Sequence, residues 1–327
     1  MDGFRSTRRL FTSKLILVAR NKCRWKTALP ITLGGGRLMK QALFNLLPPA
    51  TVAAILAFWA FAPAEWVDKW WMITAVGLVA LTFVQLMEFV AERHVGWRIN
   101  RQEFLTDLFY VLLGITAISW ASDTFANGPM GEAKEAMGLA TPWIAELPFL
   151  VQVAIVMLLV EFGQYWMHRW MHNNAFLWST HAPHHHITQL NAMKGYVGNP
   201  IELFLISLSV IALLDFDKAP MFAAFNSLGA ISYYAHANVR ADPPKWFSFF
   251  FTTIQHHSLH HTAESFEDTR CNYGNCIILF DRMFGTFREG ESAIAGQDDR
   301  KRLSILEQFL FPFQPWIERW RTRQGTV

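Results

Sequence analysis

Apolar residues run with few interruptions through six stretches of the chain: 43 to 64, 70 to 91, 105 to 121, 147 to 166, 198 to 215 and 219 to 236. About 20 apolar residues in a helix cover the roughly 30 Å of hydrocarbon in a bilayer, so the first four predict transmembrane helices. The last two are separated only by Asp215, Asp217 and Lys218 and predict a helical hairpin. Polar residues concentrate at 167 to 197 and after 236. There, Pro243-Pro244 breaks the chain before the aromatic run Trp246 to Thr252, which is expected at the membrane interface. The pattern predicts an all-α fold, a polytopic helical membrane protein of about four to six spans with a histidine-rich helical cap. No internal repeat or low-complexity linker divides it. The expected organisation is a basic arm (1–41), a membrane domain (42–290) and a polar C-terminal tail (291–327).

Charge sets the orientation. Residues 1 to 41 carry Arg5, Arg8, Arg9, Lys14, Arg20, Lys22, Arg24, Lys26, Arg37 and Lys40 against Asp2 alone, and the loop 92 to 104 carries Arg93, Arg98 and Arg101 beside Glu92 and Glu103. The loop 122 to 146 has Lys134 alone among acids. Positive residues stay on the cytoplasmic side, so both termini, 167 to 197 and everything after 236 are expected there, with 122 to 146 outside.

Composition agrees with a membrane protein: 52% hydrophobic, 17% charged, with 14 Trp and 28 Phe. The net charge of +3 sits mostly in the N-terminal arm, which reads as membrane-apposed and not as a nucleic-acid site. The apolar stretch 10 to 19 is short and interrupted by Lys14, so no cleaved signal peptide is expected. Cys23, Cys271 and Cys276 form no Cys-x-x-Cys and are expected to stay reduced.

The histidines change the picture from membrane protein to metal protein. Of 12, all but His94 follow residue 167, on the predicted cytoplasmic face. His168 and His172 are four apart, so a helix continuing from the fourth span sets both imidazoles on one face, as a shared metal requires. His181-Ala-Pro-His184-His185 and His257-Ser-Leu-His260-His261 repeat one spacing, His-x-x-His-His. There the residues at i and i+3 are expected to share a face, with the adjacent histidine turned toward a neighbouring site. Imidazole binds iron, copper and zinc while uncharged. Eight such ligands exceed what one tetrahedral zinc needs and fit two metals with open positions.

His186 and His256 adjoin these ligands, and His94 stands alone in a basic loop. Glu161, seven residues before His168, is placed to orient a ligand; Asp107 and Glu88 are acids near span ends. A histidine-rich membrane metal-binding or transport protein is an alternative, but a conduction path spreads histidines through the depth of several spans. A bis-histidine haem protein needs pairs on facing spans.

The segments Glu161 to His172 (EFGQYWMHRWMH), Leu177 to His185 (LWSTHAPHH) and His257 to Phe287, with Asn272-Tyr273-Gly274, Asp281-Arg282 and Phe284-Gly285-Thr286-Phe287, resemble the fatty acid hydroxylase and sterol desaturase superfamily over roughly residues 100 to 290. The resemblance implies a histidine-ligated di-iron centre, molecular oxygen as co-substrate, a lipid substrate and electrons from a separate protein such as a ferredoxin, cytochrome or flavoprotein reductase. Members act on fatty acyl chains, sterols, carotenoids, sphingolipids, alkylglycerols and ornithine lipids. Carried over, the ligands are His168, His172, His181, His184, His185, His257, His260 and His261. His236, in the run Tyr234 to Asn238, is the implied ninth. At Asn199-Pro200 many members read His-Pro; Asn199 either contributes an oxygen or a water-mediated contact, or the site has one nitrogen fewer. The implied activity is that of a lipid hydroxylase, with desaturation by the same centre as the alternative.

Overall fold

A computed structural model describes residues 35–324, and among these it is helical with no strand beyond two isolated bridges. Most of the basic arm, and Cys23, lie outside the described residues. Four helices are long and apolar enough to cross a membrane. They are α1 (Gly35–Phe61), α2 (Met72–Val90), α3 (Arg101–Ala136) and α4 (Phe149–Asn173).

α3 outruns its apolar stretch by a wide margin, continuing through residues expected to form an external loop. Two π-helical segments, Gly114–Ile118 and Asp123–Asn127, let the helix re-phase without ending. α4 continues through His168 and His172 as the i, i+4 spacing requires. Its buried stripe is apolar at Val153, Val156 and Val160 and becomes Tyr165, His168 and His172 in the last turns.

The expected hairpin of spans is corrected. α5 (Ala175–His185) leads, through an extended loop, to α6 (Pro200–Ser207), whose eight residues reach about 12 Å, well short of the hydrocarbon thickness. α7 (Lys218–His236) is long enough, yet it buries Asn226, Ser227, Tyr233 and Tyr234 along with its alanines. A helix buried on most of its circumference is a core element. Trp59 of α1 donates to Asn226 Oδ1 at 2.9 Å, and Tyr234 shares a hydrogen bond with Thr51.

α8 (Lys245–Phe250) exposes Trp246, Phe249 and Phe250, as an interfacial segment would. α9 (Ile254–His260) and α10 (Leu279–Phe284) complete the cap. Beyond residue 290 the chain does not trail away: Ala295 and Leu303 are buried, and α11 (Ile305–Leu310) sits over Asn199. Gln41 reaches the Arg240 carbonyl, Arg93 pairs with Asp242 and Glu291, and Lys194 pairs with Glu103. The starts of α1 and α3 and the ends of α2 and α4 therefore share one end of the bundle with the histidines.

Candidate metal centre

Nine histidines from four helices converge in two adjoining buried groups. His168, His172, His181, His185 and His260 form one; His184, His236, His257 and His261 form the other, and within each the ring nitrogens lie within 4.8 Å of one another. The two repeated boxes are wired differently from the i, i+3 expectation. His181 and His185 share a group, and so do His257 and His261, while the middle histidine of each box, His184 or His260, crosses to the other. At 3.6 residues per turn, i and i+4 are only about 40° apart around the helix, whereas i and i+3 diverge by about 60° in the opposite sense. Each box thus supplies both groups, and the His185 and His261 rings stack 4.5 Å apart at the seam.

On five of the nine rings the nitrogen facing away from its group is held in place. His168 Nδ1 is 2.7 Å from the Tyr273 carbonyl, His260 Nδ1 2.7 Å from the Cys271 carbonyl, and His184 Nδ1 2.6 Å from the Val197 carbonyl. His236 Nδ1 meets the Ser232 carbonyl, and His181 Nδ1 meets Glu202 Oε1 at 2.6 Å. Backbone carbonyls only accept, so in His168, His184, His236 and His260 Nδ1 carries the proton and Nε2 is left with a bare lone pair. Inward-facing Nε2 atoms crowd together: His168 to His181 at 3.0 Å, His172 to His181 at 3.1 Å, His236 to His257 at 2.9 Å. A metal cation would take the lone pairs of these inward-facing nitrogens in place of ring-to-ring hydrogen bonds. The donor set fits nitrogen-liking transition metals.

The carbonyls are themselves pinned by local sequence. Asn272 takes a left-handed conformation (φ 51°), and its side chain bridges the His256 and Arg288 backbones. Asp281 accepts from the Tyr273 and Gly274 N–H groups and from Thr286 Oγ1. A Cβ at Gly274 would fall 2.5 Å from the Ile277 carbonyl, so only glycine allows this turn. The Asn-Tyr-Gly and Asp runs thereby aim two backbone oxygens at two histidines.

Burial holds the imidazoles neutral. Removal from water pushes His181 down to about 3 and His184 down to about 4, and burial pushes His257, His260 and His261 well below the ordinary value. In metal-free protein the unfolded chain takes up these protons below about pH 6.5 and the folded chain does not. Stability is then full above about pH 6.5 and falls as pH drops toward 4, by about 1.4 kcal/mol per pH unit for each such histidine. Unfolding of chelator-treated protein in detergent at pH 7.5, 6.0 and 4.5 should follow this slope; a flat profile would mean the rings are solvated.

The remaining candidates lie elsewhere. Asn199 caps α6, and its Nδ2 donates to the Gln308 and Phe309 carbonyls, so it anchors the C-terminal segment and faces no histidine group. Asp107 accepts from Lys194 and Asn191. Glu161 touches no histidine; its Oε2 accepts from the Cys276 and Ile277 N–H groups. Glu88 accepts from the Ala192 and Asn238 N–H groups. His186 packs on Phe311, His256 lies near Thr253 and Phe287, and His94 meets Glu291. Cys271 and Cys276 are unpaired and buried. Glu202, which orients His181, went unnoticed in the sequence; its place three residues after Asn199-Pro200 in a capping box was the available clue.

A cavity of about 420 Å³ opens beside both groups, walled by α4, α6 and α7 and lined also by His181, His184 and His236. The fold and site together define a helical membrane protein with a two-part, all-histidine centre beside a cavity. Residues 153–286 match the model of the fatty acid hydroxylase family. It is 28% identical over 286 residues to the ornithine lipid hydroxylase OlsE of Rhizobium tropici, covering 83% of this chain and 84% of that protein. It is 26% identical to the human (Homo sapiens) alkylglycerol monooxygenase over 50% of this chain and 37% of that one. To the Delta(7)-sterol-C5(6)-desaturase of Nicotiana tabacum it is 32% identical over 44% of this chain and 52% of that one. No solved structure matches the chain.

Proposed function

We propose that the protein is a di-iron, O2-dependent hydroxylase of a membrane lipid, drawing electrons from a separate ferredoxin, cytochrome or flavoprotein reductase. The observation that carries this reading is the pairing of two buried histidine groups, each with converging ring nitrogens, beside one cavity. His168, His172, His181, His185 and His260 would hold one iron; His184, His236, His257 and His261 would hold the other. Iron so bound supplies activation of dioxygen and oxidation of an unactivated C–H bond.

The protein's own part is positioning. Glu202 and the Tyr273, Cys271 and Val197 carbonyls fix the ring orientations and strengthen Nε2 as a donor. The cavity walls would bring a substrate carbon toward His181, His184 and His236, a gain in proximity and orientation. Desaturation is the second reading, favoured by the likeness to a sterol desaturase and differing only in the fate of the substrate after the first hydrogen is removed. Arg93, Arg98 and Arg101 at the histidine end of the bundle support a cytoplasmic site.

Purified protein should hold about two irons per chain with nitrogen ligation. Cells expressing it under ¹⁸O₂ should contain a lipid heavier by one labelled oxygen. A single zinc in an active preparation rejects the di-iron reading; a lipid lighter by two hydrogens selects desaturation.

A further inference from the structure

The cavity is not uniformly greasy. Its lining includes Glu161, Gln164 and Asn275 besides the histidines. Glu161 lies on α4 seven residues before His168, about 10 Å along the axis. Its carboxylate is fully buried and only half used. Oε2 receives the Cys276 and Ile277 N–H groups at 2.9 and 3.0 Å, while Oε1 has no hydrogen-bond partner among the described residues. The neighbouring Cys276 thiol lies 3.2 Å from the Leu228 carbonyl, to which it donates. Gln164 donates to the Ile206 carbonyl, and Asn275 donates to Gln164 Oε1. If Glu161 served only to clamp the loop at Cys276, one oxygen would suffice and a glutamine would do as well. A buried acceptor left without a donor is costly, and in a cavity that admits a ligand the missing donor is the ligand's.

We infer that Glu161 Oε1 is a binding residue for an N–H or O–H group of the substrate, about two helical turns from the histidines. The lipid oxidised is therefore one that carries a hydrogen-bond donor close to its reacting carbon, near its polar end and not in mid-chain. This rests on the hydroxylase reading for the identity of the cavity as the substrate site. A hydroxyl, an amide N–H and an ammonium group share the required chemistry.

The test uses a matched pair of synthetic lipids, an N-palmitoyl amino alcohol and its N,O-dimethylated counterpart, which lacks donors. Each displaces a fluorescent fatty acid from the detergent-purified full chain, and iron is measured on the same samples. Wild type should bind the donor lipid about tenfold more tightly than the methylated one. Glu161→Gln keeps an oxygen for the two N–H groups but puts an NH₂ where Oε1 stood. It should abolish that preference with iron content and thermal unfolding unchanged. Equal binding of both lipids by wild type overturns the inference, and so does an undiminished preference in Glu161→Gln. Displacement is read without turnover, so loss of the di-iron reading through absent iron is a separate result.

Discussion

Alanine substitutions should sort the nine histidines by spatial group and not by sequence box. His185→Ala is expected to empty the group it shares with His168, His172, His181 and His260, whereas His184→Ala, one residue away, empties the group of His236, His257 and His261. Each variant should fall from about two irons per chain to about one. Each should also lose product on the order of a thousandfold or more, because residues acting as one unit fail together. Combining His184→Ala with His236→Ala should cost little beyond either alone, while combining His184→Ala with His185→Ala should remove both irons. His94→Ala, whose ring meets Glu291 outside both groups, should leave iron and product near normal. Iron analysis and labelled-lipid yield read all of these together. If His184→Ala and His185→Ala deplete the same metal, as spectroscopy of the remaining site would show, the division into two groups is wrong.

That assignment marks the border of what the sequence discloses. Four spans could be read directly, since a run of apolar residues long enough for a bilayer has few other uses. The eight box histidines and His236 stood out by spacing and resemblance, and the structure brings all nine together. Their division between the groups did not, because i+3 and i+4 differ by one residue in sequence and by about 100° in direction. The acceptors holding His168, His184 and His260 are backbone carbonyls, to which any residue type contributes alike. The part played by Asn199 stays open in the sequence for a related reason. Its neighbour in sequence space is a ligand-like histidine, but its side chain caps a helix and ties down Gln308 and Phe309, contacts 109 and 110 residues away. The apolar stretch 198 to 236 was read by composition as two spans. Composition does not distinguish a helix surrounded by lipid from one surrounded by other helices, and α7 is of the second kind.

Lys194→Met should be among the most destabilising single changes outside the histidines. Lys194 is 1% exposed and donates to Glu103 and to Asp107 Oδ1, at 2.7 Å for the latter. Asn191 holds the other Asp107 oxygen, and Arg302 from the C-terminal segment holds the other Glu103 oxygen and Thr106. Two cations and two carboxylates thus balance inside the protein, joining α3, the loop after α5 and the segment beyond residue 300. Removing the lysine leaves Glu103 with Arg302 but leaves Asp107 Oδ1 facing no cation, and breaking a buried pair by deleting one partner costs about 3–5 kcal/mol. The loss should propagate to the metal centre, because Lys194 lies three residues before Val197, whose carbonyl orients His184. Unfolding in mixed detergent micelles should show the full destabilisation for Lys194→Met. Adding Asp107→Leu, which removes the stranded charge, should restore most of it, since apolar replacement of a whole buried pair is often neutral. Iron in the single variant should fall first in the His184 group. A Lys194→Met protein within about 1 kcal/mol of wild type would show that water reaches this network and that the charges are not held by one another.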